Sequence, residues 1–75
     1  MALLAITQAK YVEEYKISLT FNNGIKKTVD LQPRLYGEVF EPLKDIDKFK
    51  KFSLSYYTIE WENGADLAPE YLISL

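Results

Sequence analysis

The sequence contains no cysteine and no histidine. Without cysteine the chain cannot form a disulfide, present a thiolate nucleophile or bind a metal ion through sulfur. Without histidine it lacks the commonest general base and the commonest ligand of transition metals. Its three glycines are too few for a glycine-rich phosphate-binding loop, and no serine stands in a Gly-x-Ser-x-Gly motif. We therefore expect no enzymatic activity and no cofactor.

A charge excess and a long hydrophobic run are also missing. The 75 residues carry 9 basic and 11 acidic side chains, for a net charge of −2, whereas nucleic-acid-binding domains usually carry a basic excess. The apolar run at the N-terminus stops at Thr7 and follows no basic segment, so it is too short for a signal peptide or a membrane span. We expect a cytoplasmic protein without membrane contact, folded as a single domain over residues 1–75.

What the sequence does contain is one pattern twice: an aromatic residue, any residue, Asn-Gly and an apolar residue, at 21–25 and at 61–65. Asn-Gly flanked by alternating apolar residues is a strong local signal for a β-hairpin. We therefore interpret both copies as structural turns. The residues that make them are Asn23, Gly24, Asn63 and Gly64.

Hydrophobic alternation selects the length of the first loop. A loop of two residues would place Phe21 opposite Lys26 and turn polar side chains toward the core. A loop of three residues, 22–24, places Phe21 opposite Ile25 instead. It requires Gly24 in a left-handed conformation that most other residues adopt only at a cost.

The second copy leads to the same choice. A loop of two residues would place Trp61 opposite Asp66, whereas a loop at 62–64 places it opposite Ala65. Glu60 and Asp66 then face each other on the outer side, where like charges are mildly unfavourable. That pair predicts a neighbouring lysine, a basic surface on a partner, or a wide solvated face.

The remaining segments predict short elements. Residues 4–9 have the pattern of a leading strand, and the strand pattern of 54–61 is interrupted at the two tyrosines 56–57, by a bulge or a turn. Asp45 is a suitable N-cap for a helix over 46–51, and proline opens a second helix over 69–74. The whole predicts an α+β domain: a small, mostly antiparallel sheet of two hairpins plus a leading strand, with two short helices.

Several segments together resemble a known family. The resemblance is carried by the alternating strand 15–21 with its Asn-Gly turn, by 29–31, and above all by 58–72 (TIEWENGADLAPEYL). On these segments the chain resembles a group of small bacterial proteins, domain-of-unknown-function family 2442. The family often has proline where this chain has Glu62, and a three-residue loop suits either residue.

The resemblance implies a small α+β domain and no catalytic residue. Some members continue into a helix-turn-helix DNA-binding domain. Others stand alone beside a gene for another small family, number 4160, in an arrangement similar to a toxin–antitoxin pair. Because the sequence stops at Leu75 without such an extension, it resembles the stand-alone members. The implied partner is therefore a small protein encoded by an adjacent gene.

Four acidic residues have two possible interpretations, one catalytic and one structural. They could hold Mg²⁺ or act as an acid–base pair in a carboxylate-based metal-dependent enzyme. We favour a structural role: a solvated strand face, a cap or Asx-turn at Asp66 before the second helix, and a favourable anion in that helix's first turn. The residues are Glu60, Glu62, Asp66 and Glu70.

The aromatic residues are numerous for a chain of this size, and not all of them can be buried. The structural interpretation is a set of half-buried side chains at the edge of the core. The functional one is a protein interface, which exposed tyrosine and tryptophan favour, or a surface on which bases stack. The residues in question are Tyr11, Tyr36, Tyr56, Tyr57, Tyr71 and Trp61. We name the four acidic residues together with Tyr56, Tyr57 and Tyr71 the candidate interaction surface. The same three tyrosines could instead line a pocket for a small molecule.

These observations favour a non-enzymatic protein-binding module, an antitoxin-like or regulatory partner of a small protein. Free strand edges allow a homodimer as well. The first alternative is a nucleic-acid-binding regulator that uses the basic and aromatic segment Lys48–Phe52 with exposed tyrosines. The second is the metal-dependent enzyme, built on Glu60, Asp66 and Glu70.

Overall fold

A computed structural model of the chain describes residues 3–75. Met1 and Ala2, which open the apolar N-terminal run, lie outside the described residues. Within that range the chain forms two β-sheets and two short α-helices, which confirms the predicted α+β class. The strands are β1 (Ile6–Glu13), β2 (Lys16–Phe21), β3 (Lys26–Asp30), β4 (Ser53–Ser55) and β5 (Thr58–Glu60). The helices are α1 (Ile46–Phe49) and α2 (Pro69–Ile73), and 3-10 turns span Gln32–Arg34 and Glu41–Lys44.

The first sheet is antiparallel, with β2 between β1 and β3. Alternation along β2 sets its two faces, because Ile17, Leu19 and Phe21 are buried and the residues between them are partly exposed. The leading strand β1 begins at Ile6 and continues to Glu13, well beyond the predicted 4–9. It does so because it pairs along the whole of β2, with a register shift near each end.

The hairpin between β2 and β3 has the predicted three-residue loop. The amide of Phe21 donates a hydrogen bond to the carbonyl of Ile25 at 2.8 Å. This register leaves one mixed pair, Leu19 opposite Lys27. The lysine has its own partner, since its Nζ donates to the carbonyl of Ile73 at 2.6 Å. Lys27 therefore ties the first sheet to the end of α2.

The second sheet is the hairpin of β4 and β5. Tyr56 and Tyr57 form the turn between the two strands, so the predicted break in the strand pattern is a turn rather than a bulge. The second Asn-Gly turn follows β5. Among the described residues, the chain returning from that turn pairs with β5 through the bridge Glu60–Asp66 and forms no further strand.

A cluster of aromatic rings occupies the centre of the core. Phe49 is fully buried and packs edge-on against Tyr15, with ring centroids 5.3 Å apart. Its centroid lies 5.7 Å from that of Trp61, which contacts Phe40 and Phe52 edge-on. Such pairs are worth about 0.5–1.5 kcal/mol each beyond the area they bury. Phe49 thereby packs α1 against Tyr15, which lies between β1 and β2, and against Trp61, which follows β5.

Helix α1 begins as predicted. The side chain of Asp45 accepts a hydrogen bond from the amide of Asp47 at 3.0 Å, which satisfies one of the free N–H groups of the first turn. The helix ends at Phe49 instead of residue 51, and Lys50 is its C-cap. One turn is enough to bury Phe49 while the lysines around it stay in solvent.

Helix α2 begins without a side-chain cap. Pro69 occupies its first turn, as predicted, because the fixed φ of proline suits that position. The N-cap is therefore Ala68, and no side chain accepts a hydrogen bond there. The predicted capping role of Asp66 is wrong, since this residue lies two positions too early. In residues 3–75 no helix is long and apolar enough to cross a membrane.

Candidate interaction surface

Both Asn-Gly turns use the same set of hydrogen bonds. The amide of each glycine donates to the carbonyl of the aromatic residue three positions earlier, at 3.0 Å for Gly24 and 2.9 Å for Gly64. The side-chain oxygen of each asparagine accepts from the N–H two positions later, at 3.1 Å for both Asn23 and Asn63. The glycine φ values are +88° and +87°. Turn chemistry therefore accounts for the repeated pattern.

The acidic residues of the candidate interaction surface do not form one cluster. Glu60 and Asp66 are brought together, opposite each other across the bridge after β5. The ion pairs within residues 3–75 are Glu13–Lys16 and Asp47–Lys50, so neither member of the acidic pair has a basic partner in that range. Asp66 is exposed and Glu60 is partly exposed. The like charges are therefore left to solvent or to a bound molecule.

The other two acidic residues have different surroundings. Glu62 lies in the second Asn-Gly turn and faces a cleft that also contains lysine side chains. Glu70 lies in the first turn of α2, as predicted, where a negative charge is favoured. In the described part of the chain, no three acidic side chains lie close enough to hold a metal ion together. The trio Glu60, Asp66 and Glu70 is thus not assembled as a metal site.

Tyr56 and Tyr57 form the exposed tip of the second hairpin. The side chain of Tyr56 is 101% exposed and that of Tyr57 is 50% exposed. Tyr56 has a φ of +56°, which hairpin turns of two residues usually obtain from glycine, asparagine or aspartate. The carbonyl of Tyr57 accepts a hydrogen bond from the amide of Ile6 at 2.9 Å. The tip is therefore anchored to the start of β1 while its first side chain points into solvent.

Tyr71 lies next to a basic residue, Arg34. The guanidinium of Arg34 lies over the Tyr71 ring, 5.9 Å from its centroid, at cation–π distance. Two clefts of the described chain are lined by other residues. Neither cleft is lined by Tyr56, Tyr57 or Tyr71.

Trp61 and Tyr11 do not add to the exposed aromatic surface. Trp61 is 2% exposed, and its Nε1 donates to the carbonyl of Phe49 at 2.6 Å. Tyr11 packs against the core, and its hydroxyl donates to the carbonyl of Glu14 at 3.0 Å. The alternation that placed Trp61 opposite an apolar residue was already the signal that it points inward. Tyr36, at 69% exposure, does remain on the surface.

The basic and aromatic segment around α1 borders a cleft that the sequence did not reveal. Lys50 pairs with Asp47 at 3.7 Å, whereas Lys48 and Lys51 line a cavity of about 390 Å³. We name this cavity the Lys–Trp cleft. Its lining includes Pro42, Leu43, Lys48, Lys51, Trp61 and Glu62.

The strands and helices define the chain as a small α+β domain. The model of the family described as "Protein of unknown function (DUF2442)" matches residues 6–75, and the chain belongs to this family. The resemblance recognised in the sequence is thereby confirmed. No curated protein and no solved structure gives a significant match.

Proposed function

We propose that this chain is a non-enzymatic protein-binding module, an antitoxin-like or regulatory partner of another small protein. The observation that carries the proposal is Tyr56, an aromatic side chain held fully in solvent by a left-handed backbone. Tyrosine is enriched in protein interfaces, where it contributes large contact area at low entropic cost. Backbone strain of this kind tends to persist where function makes use of it.

The charge next to this tip supports a basic partner. Glu60 follows Tyr57 by three residues, about 10 Å of extended chain, so one partner surface can cover both. Across from it Asp66 is exposed, and neither carboxylate has an ion-pair partner within residues 3–75. A lysine or arginine of the partner would neutralise the pair, and complementary charge of this kind raises the rate and specificity of association.

Family membership supports an adjacent gene as the source of the partner. The resemblance implies that some members of the family lie beside a gene for another small family, in an arrangement similar to a toxin–antitoxin pair. A module that works on such a partner needs a recognition surface and no catalytic group. The tip at Tyr56 and Tyr57, with the pair Glu60 and Asp66, supplies such a surface.

Co-expression tests this proposal. The tagged chain is produced together with the products of its two flanking genes and purified by the tag, and the eluate is separated by size-exclusion chromatography. We expect a heteromeric complex of fixed stoichiometry. A chain that elutes alone, as a monomer or as a homodimer, would contradict the proposed partner.

Variants then locate the interface. Tyr56→Gly removes the exposed ring but suits a turn in which only the first residue has a positive φ, and Asp66→Lys reverses the charge of the acidic pair. Both should weaken the complex by about tenfold or more, as expected for central interface residues. Glu13→Lys makes the same charge change on the first sheet and should leave affinity unchanged. If all three variants bind the partner as tightly as the unaltered chain does, the interface lies elsewhere.

A further inference from the structure

We propose that the Lys–Trp cleft binds a small organic anion, a carboxylate or phosphate monoester with a compact apolar body. The cleft is not lined by Tyr56, Tyr57, Glu60 or Asp66, on which the proposed protein-binding role rests, and it does not depend on them. Of the candidate interaction surface, only Glu62 belongs to its lining. The cavity of about 390 Å³ lies in the range of small-molecule sites, which are concave and mostly apolar with a few convergent polar groups.

The apolar part of the cleft comes from three residues. Trp61 and Leu43 are only 2% and 3% exposed and form its floor, and Pro42 stands at its edge. Pro42 and Leu43 belong to the 3-10 turn Glu41–Lys44. Because little of Trp61 and Leu43 is exposed, a ring or a short aliphatic group placed here would make its carbon contacts chiefly with the exposed Pro42 and with the edges of the floor.

The walls of the cleft are held in place before any ligand arrives. The indole N–H of Trp61 is fixed on the Phe49 carbonyl at 2.6 Å. The side-chain amide of Asn63 donates to the carbonyl of Val39 at 2.7 Å and its oxygen accepts from Ala65, so it ties the second turn to a loop 24 residues away. A preformed site loses less conformational entropy on binding.

The charge of the cleft selects an anion. Lys51 follows the end of α1, and its amide donates a hydrogen bond to the carbonyl of Lys48 at 3.2 Å, so the chain makes one further turn between the two residues. Both side chains line the same cleft, where their two ammonium groups can attract one oxyanion. Neither takes part in an ion pair with residues 3–75, whereas Lys50, between them, pairs with Asp47 and does not line the cavity. Both lysines that line the cleft therefore have ammonium groups that are free of ion pairs within that range.

Glu62 orients the ligand. Its carboxylate belongs to the lining together with the two lysines, and it repels an anionic head placed beside it. The head must therefore lie at the lysine side, with the apolar body over Trp61 and a neutral or cationic end toward Glu62. Inorganic phosphate can make only the contact with the lysines, so it should bind much more weakly than an organic monoester.

Nuclear magnetic resonance titration of the intact, isotope-labelled chain tests the inference. The probes are phenyl phosphate and phenylacetate. Inorganic phosphate, which lacks the apolar body, and benzamide, which lacks the negative charge, are the control ligands. We expect saturable shifts of the Trp61 indole signal and of the amides of Lys51 and Glu62, with a Kd of about 1 mM or lower for an aryl anion of this size. Inorganic phosphate and benzamide should reach no saturation in that range.

A matched set of lysine variants separates a site from general charge attraction. Lys48→Gln with Lys51→Gln should weaken binding of the aryl anion about tenfold or more, and Lys50→Gln should leave it unchanged. The inference is overturned if neither aryl anion gives saturable shifts, if inorganic phosphate binds as well as phenyl phosphate, or if Lys50→Gln weakens binding as much as the double variant. A single-stranded oligonucleotide that binds the same residues far more tightly would overturn it in favour of nucleic acid.

Discussion

The indole nitrogen of Trp61 donates a hydrogen bond to the backbone carbonyl of Phe49 at 2.6 Å. Both residues are buried, so the carbonyl has no water to replace this donor. The bond joins the residue after β5 to the last residue of α1. One side chain thus fixes the second hairpin, the one-turn helix and the floor of the Lys–Trp cleft relative to one another.

Trp61→Phe should be strongly destabilising. The substitution removes the indole donor, leaves the buried Phe49 carbonyl unpaired and opens space in the core, for a loss of about 2–4 kcal/mol in the free energy of unfolding. Urea denaturation followed by far-ultraviolet circular dichroism measures it. Phe40→Leu, which removes a ring that contacts Trp61 but no hydrogen bond, should cost less than half as much. Equal losses would mean that the hydrogen bond contributes nothing.

The two Asn-Gly turns should respond equally to substitution. A Cβ added at Gly24 or Gly64 would meet no atom within 4 Å, so Ala at either position costs only the left-handed backbone, about 1–2 kcal/mol. Asn tolerates that conformation better and should cost less at both sites. Denaturant midpoints of the four single variants measure these differences. A near-zero cost for Ala in one turn would contradict the equivalence of the two turns.

Asp45 and Asp66 make a matched pair of acidic residues ahead of the two helices. Asp45→Ala removes a side-chain hydrogen bond to the first turn of α1 and should lower the free energy of unfolding by about 0.5–2 kcal/mol. Asp66→Ala removes no cap and should change it by about 0.5 kcal/mol or less, as for ordinary surface residues. Thermal or chemical denaturation compares them. A larger loss of unfolding free energy for Asp66→Ala than for Asp45→Ala would show that Asp66 does cap α2, against the structure.

Tyr56→Gly should raise stability while it removes binding. Glycine suits the first position of a two-residue hairpin turn in which only that residue has a positive φ, and a fully exposed ring has little packing to lose. We expect a gain of about 0.5–1 kcal/mol in the free energy of unfolding, from the backbone strain relieved. A destabilised variant would show that Tyr56 packs in the isolated chain, which would weaken its assignment to an interface.

Local patterns predicted the first hairpin and the chemistry of both turns. Alternation over a few residues is enough to reject a loop that would place Phe21 opposite Lys26, because a slip of one residue exchanges the two faces of a strand. The cap of α1 was equally local, since Asp45 lies two positions before the amide that it binds.

The features that the sequence did not reveal depend on contacts between distant segments or on the exact residue at which a helix begins. The bond from Asn63 to Val39 and the contact of Lys51 with the cleft that holds Trp61 join segments that no periodicity links. The length of β1 follows from its pairing with β2. Asp66 failed as a cap because Pro69 opens α2 and makes Ala68 the N-cap. Neighbouring residue types suggested a cap there, but its position depended on where the helix begins.

The most direct test of the proposed function is the molar mass of the purified species after co-expression with the two flanking genes, determined by light scattering on a size-exclusion column. The proposal predicts a mass equal to the sum of this 8.7 kDa chain and a second protein in fixed ratio, lost in Asp66→Lys and kept in Glu13→Lys. A mass of one or two copies of this chain alone would contradict it.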